Sequence, residues 1–356
     1  MRMIQCKWED CVSLKNNDII EYYKNKKGKY LYFIGKGFDP RMCEGISLTL
    51  RANKDVMVYL LEYEEGKNSS SHNYAIYVQD NYKTLQSLTE NIQELKIEAA
   101  LSRLPIFLKK NLSKEFFKGY DRIIVDISSM PQIISFNLIK HIIQNCEDDF
   151  KIDIITCENS AFDDVIIPTG LDETANYLNG FSMFSMEMES EEDSFTVWLP
   201  LLGKNCKDEL EKIYQFISPN EICPVLPFPS EDAKKSDEIL SAVGELLFTS
   251  FEVEKRNILY IPENNVIQAY KKLCSTVEYY NETLNIIGKT KFIFTIGSSK
   301  LIGIGALLAN MEISKHGINT SFAMVENDGY IFSATCYEPT KSNIYCVCLN
   351  DSIYDW

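Results

Sequence analysis

Short, uninterrupted apolar runs recur along this chain: YLYFI at Tyr30–Ile34, VMVYLL at Val56–Leu61, RIIVDI at Arg122–Ile127 and KIDIIT at Lys151–Thr156. They resume with FTVWLPLL at Phe195–Leu202, NILYI at Asn257–Ile261, KFIFTI at Lys291–Ile296 and INTSFAMV at Ile318–Val325. Such runs do not alternate polar with apolar, so neither face of the strands they predict tolerates water. Between them lie segments with helical spacing, such as Ser128–Ile143, Lys207–Ile217, Val266–Asn281 and Lys300–Lys315. Strands buried on both faces and separated by helices predict a mainly parallel, doubly wound α/β sheet.

At 356 residues the chain is long enough for about two domains, each with its own core. The pattern pauses at Met186–Ser194 (MEMESEEDS), which is acidic and poor in bulky aliphatics. That predicts a first Rossmann-like half over 1–185, an acidic connector over 186–194 and a second Rossmann-like half over 195–356, the two facing a crevice. Other expectations are finer. Asn17–Lys24 is a short helix, Thr84–Ala100 has helical spacing with a separate turn beginning at Thr89–Ile92 as the alternative, Asn327-Asp328-Gly329 is a turn, and the tail to Trp356 adds one or two strands at a sheet edge.

Charge narrows the function. The balance is 36 − 51 = −15, which opposes broad binding to nucleic acid or anionic membrane. There is no signal-peptide core and no apolar run of membrane-spanning length, so a cytoplasmic protein is expected. The eleven Cys are scattered and mostly lie in apolar runs, which predicts free, buried thiols. Cys346 and Cys348 alternate along a strand and should share one side. With three His and no CxxC pair, no metal is expected.

The chemistry concentrates at the carboxyl ends of the strands. Ile124-Val-Asp126-Ile-Ser128-Ser129-Met-Pro131 enters an apolar helix, and so does Ile293-Phe-Thr295-Ile-Gly297-Ser298-Ser299-Lys300. There the helix N–H groups point outward, and small hydroxyl residues either cap the helix or donate to a phosphate. Lys300 in a first turn opposes the helix dipole, which makes sense beside an anion, although a solvated Lys is the alternative. Thr295–Lys300, followed by Gly303, Gly305 and Ala306, resembles the strand–GGTK–helix element of CARF domains. CARF and the related SAVED domains are Rossmann-like sensors of cyclic oligonucleotides in bacterial anti-phage defence. The resemblance implies ligand contact at Asp126, Ser128, Ser129, Gly297, Ser298, Ser299 and Lys300. The sequence departs from the pattern where Ser replaces Gly and Thr, and where Met130-Pro131 replaces Thr-Lys.

A second motif follows the first strand: Gly35-x-Gly37-Phe38-Asp39-Pro40-Arg41. It opens like a G-x-G-x-x-G loop but has Pro40 in place of the third glycine. Glu62 or Glu64 closes the next strand, where an acid would hold ribose hydroxyls. Arg41 suits a phosphate or carboxylate, or else pairs with Glu44 or Glu62, and Asp39 is placed to cap a helix. The Gly-Phe-Asp-x-Arg run resembles the glycine loop of the leucine carboxyl methyltransferase group. His141 reads as packed on an apolar helix, and no catalytic constellation stands out.

The chain is expected to bind a small nucleotide or nucleotide-derived signal at its elbows, without metal, and to pass it to a protein partner whose basic surface complements the acidic shell. Two alternatives stand beside it. One is a Rossmann-fold methyltransferase or nucleotide hydrolase or transferase using Gly35–Arg41. The other is a scaffold or inhibitor subunit with vestigial sites.

Overall fold

The computed structural model describes residues 4, 6–63, 74–98, 100–146, 150–163, 165–181, 194–286, 288–295, 297, 299–331 and 337–352. The strands are β1 (Cys11–Lys15), β2 (Tyr30–Gly35), β3 (Val56–Tyr63), β4 (Ile92–Ile97), β5 (Arg122–Asp126), β6 (Lys151–Glu158), β7 (Ile167–Leu171) and β8 (Asn176–Tyr177). They continue as β9 (Phe195–Pro200), β10 (Glu221–Ile222), β11 (Val225–Pro227), β12 (Leu259–Ile261), β13 (Thr290–Thr295), β14 (Asn319–Met324), β15 (Asn327–Ile331) and β16 (Asn343–Ser352). The helices are α1 (Asn17–Lys24), α2 (Glu44–Ala52), α3 (Ala75–Leu88), α4 (Leu104–Asn111), α5 (Lys114–Phe117), α6 (Gln132–Asn145) and α7 (Ser160–Asp163). After them come α8 (Lys207–Ile217), α9 (Lys235–Glu245), α10 (Val266–Leu284) and α11 (Lys300–Lys315).

The chain forms two compact units, Asp10–Gly170 with Asp328–Trp356, and Met1–Glu9 with Leu171–Asn327. They are not the consecutive stretches 1–185 and 195–356, because each unit recruits a distant piece of chain. The acidic connector, apart from Ser194, lies outside the described residues, as do Glu64 and Ser298.

In the first unit a seven-stranded sheet runs β1-β16-β6-β5-β2-β3-β4. From β6 to β4 all pairs are parallel, and β16 is antiparallel to both of its neighbours. The parallel strands, taken in chain order, lie 3-2-1-4-5, the Rossmann-like arrangement. Tyr30–Ile34 and Ile123–Val125 are buried, as expected for central strands covered on both faces. A core of Ile19, Tyr23, Tyr32, Ile46, Val58, Ile124 and Ile155 joins α1 and α2 to one face.

Three sequence expectations change here. The helical spacing of Thr84–Ala100 breaks into α3 and β4, because Thr89 turns extended (φ −156°, ψ 147°) and β4 then pairs along β3. At that edge Gln93, Glu94 and Lys96 are exposed, a charged rim that discourages further strand pairing. The C-terminal β16 is not an edge strand: β1, from the polar N-terminal region, covers its outer side. Asn327–Gly329 is the start of β15, which pairs with β7, rather than a turn.

In the second unit a five-stranded sheet runs β10-β9-β13-β14-β8, parallel except for β8. A parallel pair, β11 and β12, continues beside it. Trp198, Leu210, Ile213, Ile239, Leu247 and Ile293 share one core. On the other side α10 packs closely on the apolar α11, and Gly317 (φ 77°) ends that helix as the sequence predicts.

Candidate functional site at the strand ends

Among the parallel strands of each sheet the order reverses once, between β2 and β5 in the first unit and between β9 and β13 in the second. Ligands of open α/β sheets bind outside the carboxyl ends of strands at such a switch point. The two elbows picked out in the sequence follow β5 and β13, so they take matching places in their own sheets.

In the first unit the switch point is occupied by the protein itself. A Cβ on Gly35 would lie 3.2 Å from the Met130 Cα, and one on Gly37 would lie 3.1 Å from the Ser129 carbonyl oxygen. Ser129 Oγ donates to the Gly35 carbonyl (2.8 Å), and the Asn81 amide donates to the carbonyls of Gly37 and Asp39 (2.9 Å each). The glycine loop and the elbow are thus packed backbone to backbone. Ser128 Oγ accepts from the Cys157 N–H (2.9 Å), and α6 starts after Pro131 without a side-chain cap. The hydroxyl cap predicted for this helix is therefore replaced by two cross-strand ties.

Asp126 is fully buried, accepting from Tyr32 Oη (2.6 Å) and the Ser128 N–H (2.9 Å). Burial, followed by the charge of Asp126, drives the Tyr32 phenol well above its ordinary value, so Tyr32 stays a donor. Arg41 is 2% exposed, and neither Glu44 nor Glu62 pairs with it. Its guanidinium grips Asp39 (2.7 Å) and Asp163 (2.7 Å), donates to the Cys157 carbonyl (3.4 Å) and lies over the Phe162 ring. Burial opposes that charge, but Asp39 and then Asp163 outweigh it and hold the proton on firmly. Asp39 also caps the turn at Pro40–Cys43 through the Arg41 N–H (2.9 Å), as the sequence suggested. Glu62, at the end of β3, pairs with Lys36 (3.3 Å).

The second unit differs. Gly297 is exposed beyond the end of β13, and Ser299 is the N-cap residue of the 16-residue α11. Ser299 makes no side-chain cap bond, and its Oγ is buried without a hydrogen-bond partner. Lys300 is the first helical residue. Opposite, α8 leaves the end of β9 and carries Asp208 and Glu209 in its first turn. Glu209 Oε2 lies 3.4 Å from where a Cβ on Gly297 would stand. Burial, then the neighbouring Asp208 charge, pushes the Glu209 carboxyl up to about 7. Among the described residues nothing donates to that carboxyl. Sequence reading passed over Glu209, because an acid in a first helical turn is ordinary. Only its placement opposite the Gly297 elbow sets it apart, and that depends on β9 and β13 being neighbours.

One further cluster brings together metal-ligand types. Asp153, Cys346 and Cys348 place ligand atoms within 4.8 Å of one another, all buried. The two thiols do share one side of β16, with sulfurs 3.7 Å apart. Arg122 sits on Asp153 at 2.6 Å, so a cation there would face a fixed positive charge.

The fold and its strand ends define a protein of two Rossmann-like α/β units, each with one switch-point edge. No protein family and no curated protein matches the chain. Among solved structures it is similar to precorrin-6y C5,15-methyltransferase from Geobacter metallireducens GS-15, at 12% identity and TM-score 0.24, covering 48% of this chain and 79% of that one. MNMC2 from Aquifex aeolicus aligns at 15% identity and TM-score 0.22, covering 42% and 48%. Coclaurine N-methyltransferase aligns at 11% and 0.22, covering 93% and 72%. Likenesses this slight say nothing about chemistry. No described helix is long and apolar enough to cross a membrane.

Proposed function

We propose that this protein binds a small nucleotide-derived ligand at the switch-point edge of its second unit. The reading rests on one observation: beside that edge the Glu209 carboxyl and the buried Ser299 hydroxyl have no hydrogen-bond partner among the described residues. A phosphate suits the start of α11, where backbone N–H groups, the Ser299 hydroxyl and the Lys300 ammonium all donate. A carboxyl near 7 suits a base or ribose hydroxyl, since it donates or accepts with little free-energy difference between the two states. The sensor role suggested by the CARF-like elbow is one form of this proposal. Titration calorimetry with cyclic oligonucleotides, ATP and NAD tests it. Binding that Ser299→Ala and Glu209→Ala each weaken about tenfold supports the reading, and no heat from any of them overturns it.

A second reading, an enzyme of the methyltransferase kind, draws on the first unit. There the 3-2-1-4-5 order, the Gly35–Gly37 loop and Glu62 at the next strand end occur together. An adenosyl ribose would have to displace Lys36 from Glu62 and part the elbow from the loop. Mass spectrometry of the denatured protein decides between the two: co-purified S-adenosylmethionine or its demethylated product, lost in Glu62→Ala, favours methyl transfer.

A further inference from the structure

The N-terminal segment lies along α10 in an ordered series of contacts, all within the second unit. The Ile4 N–H donates to Glu278 Oε1 (2.8 Å), Trp8 meets Tyr270 edge-on (5.8 Å between ring centres), and Glu9 pairs with Lys271 (3.3 Å). The segment therefore runs antiparallel to the helix, and that register brings Cys6, midway along it, opposite Cys274. Trp8 is 2% exposed, with the Lys315 ammonium 5.0 Å from its ring centre, so this register is anchored on both α10 and α11.

We propose that Cys6 and Cys274 form a peroxide-sensitive modification site, in which a hydroperoxide converts the thiol pair into a disulfide that pins the N-terminal segment to α10. The two thiols are unequal in the way this chemistry requires. Cys6 is half-buried, and its hydrogen bond with Cys274 lowers it to about 7. Cys274 is 1% exposed and is raised by the same bond, then by burial, so it keeps its proton. The Cys6 thiolate attacks one peroxide oxygen. An S–O bond forms, the O–O bond breaks, and the departing alkoxide or hydroxide takes up a proton from water. The Cys274 sulfur then attacks the Cys6 sulfenic acid. The S–S bond forms, the S–O bond breaks, and the leaving hydroxide takes the Cys274 proton as water. In sum, two thiols and one hydroperoxide give a disulfide, an alcohol (water when the peroxide is hydrogen peroxide) and water. Cys146, also half-buried, lacks this arrangement: burial raises it to about 11. No ligand at the strand ends takes part in this thiol chemistry.

The test is peptide mapping by mass spectrometry of the full chain, reduced or treated with hydrogen peroxide, with remaining thiols alkylated. A Cys6–Cys274 linked peptide forming while Cys146 stays alkylatable supports the proposal. Cys6 advancing to sulfinic acid, or linking to another cysteine, overturns it. A second readout is the pH midpoint of Cys6 alkylation in Cys274→Ser, with folding checked by circular dichroism. Loss of the bond should move it from about 7 toward the ordinary 9.0. A midpoint unchanged in folded Cys274→Ser also overturns the proposal. If that variant unfolds, the wild-type peptide map decides alone.

Discussion

At the scale of single residues, charge placement makes two predictions. Glu209 goes from an ordinary 4.5 to about 7 on folding, so the folded state holds a proton that the unfolded state releases between those values. Stability from this group is therefore complete below about 4.5 and is lost as pH rises through about 7. Glu209→Gln should change urea unfolding little at pH 4.5 and stabilise by up to about 3 kcal/mol at pH 8. An equal effect at both values would show that burial does not shift this carboxyl. Arg41→Ala should cost about 3–5 kcal/mol, because it strands the buried Asp39 without its partner. If urea unfolding is instead unchanged while nucleotide affinity falls, Arg41 serves a ligand rather than the fold. The sequence marked Arg41 and Asp39 through their glycine-loop context, and both do lie at a strand end. It could not tell a grip on phosphate from a grip on Asp163, since that partner comes from α7, far along the chain.

At the scale of elements, the buried strands were legible because continuous apolar runs have few other uses. The bounds of α1 and α11 match their sequence spans. Elements decided by their neighbours were not legible. β4 carries a helical spacing of apolar residues and becomes a strand through pairing with β3, while β1, only five residues long inside a polar stretch, is too short to announce itself. The small residues in α11 have a similar origin. In the sequence they belong to the CARF-like element, and in the fold a Cβ on Gly305 would lie 2.5 Å from the Ala269 Cβ and 3.0 Å from the Val266 carbonyl oxygen. That glycine lets α10 approach. Gly305→Ala should therefore cost about 1–3 kcal/mol through overpacking, read as a lower urea midpoint. Unchanged stability would mean that α10 moves aside without loss.

At the scale of the molecule, the failure to read the division from sequence has a topological cause. Composition locates exposed connectors, whereas a compact unit is defined by which strands pair. The chain leaves the first unit after Gly170, builds most of the second, and returns at Asp328 to supply β16 between β1 and β6. A cut near 186–194 would therefore deprive the first sheet of a strand that is bonded on both sides. Removing residues 328–356 makes the matching experiment. It takes away β16, leaves β6 and β1 without their shared partner, and deletes Asp351 from beside Arg122 (2.8 Å). The residues of the second unit, 1–9 and 171–327, all remain. Hydrogen exchange on the truncated chain should show fast exchange at Leu31–Ile34 and Ile123–Val125, with slow exchange kept at Phe292–Phe294 and along α11. Slow exchange retained in both sheets would show that β2–β6 form a stable sheet without their antiparallel neighbour. Fast exchange in both would show that the second unit cannot hold its fold without the first.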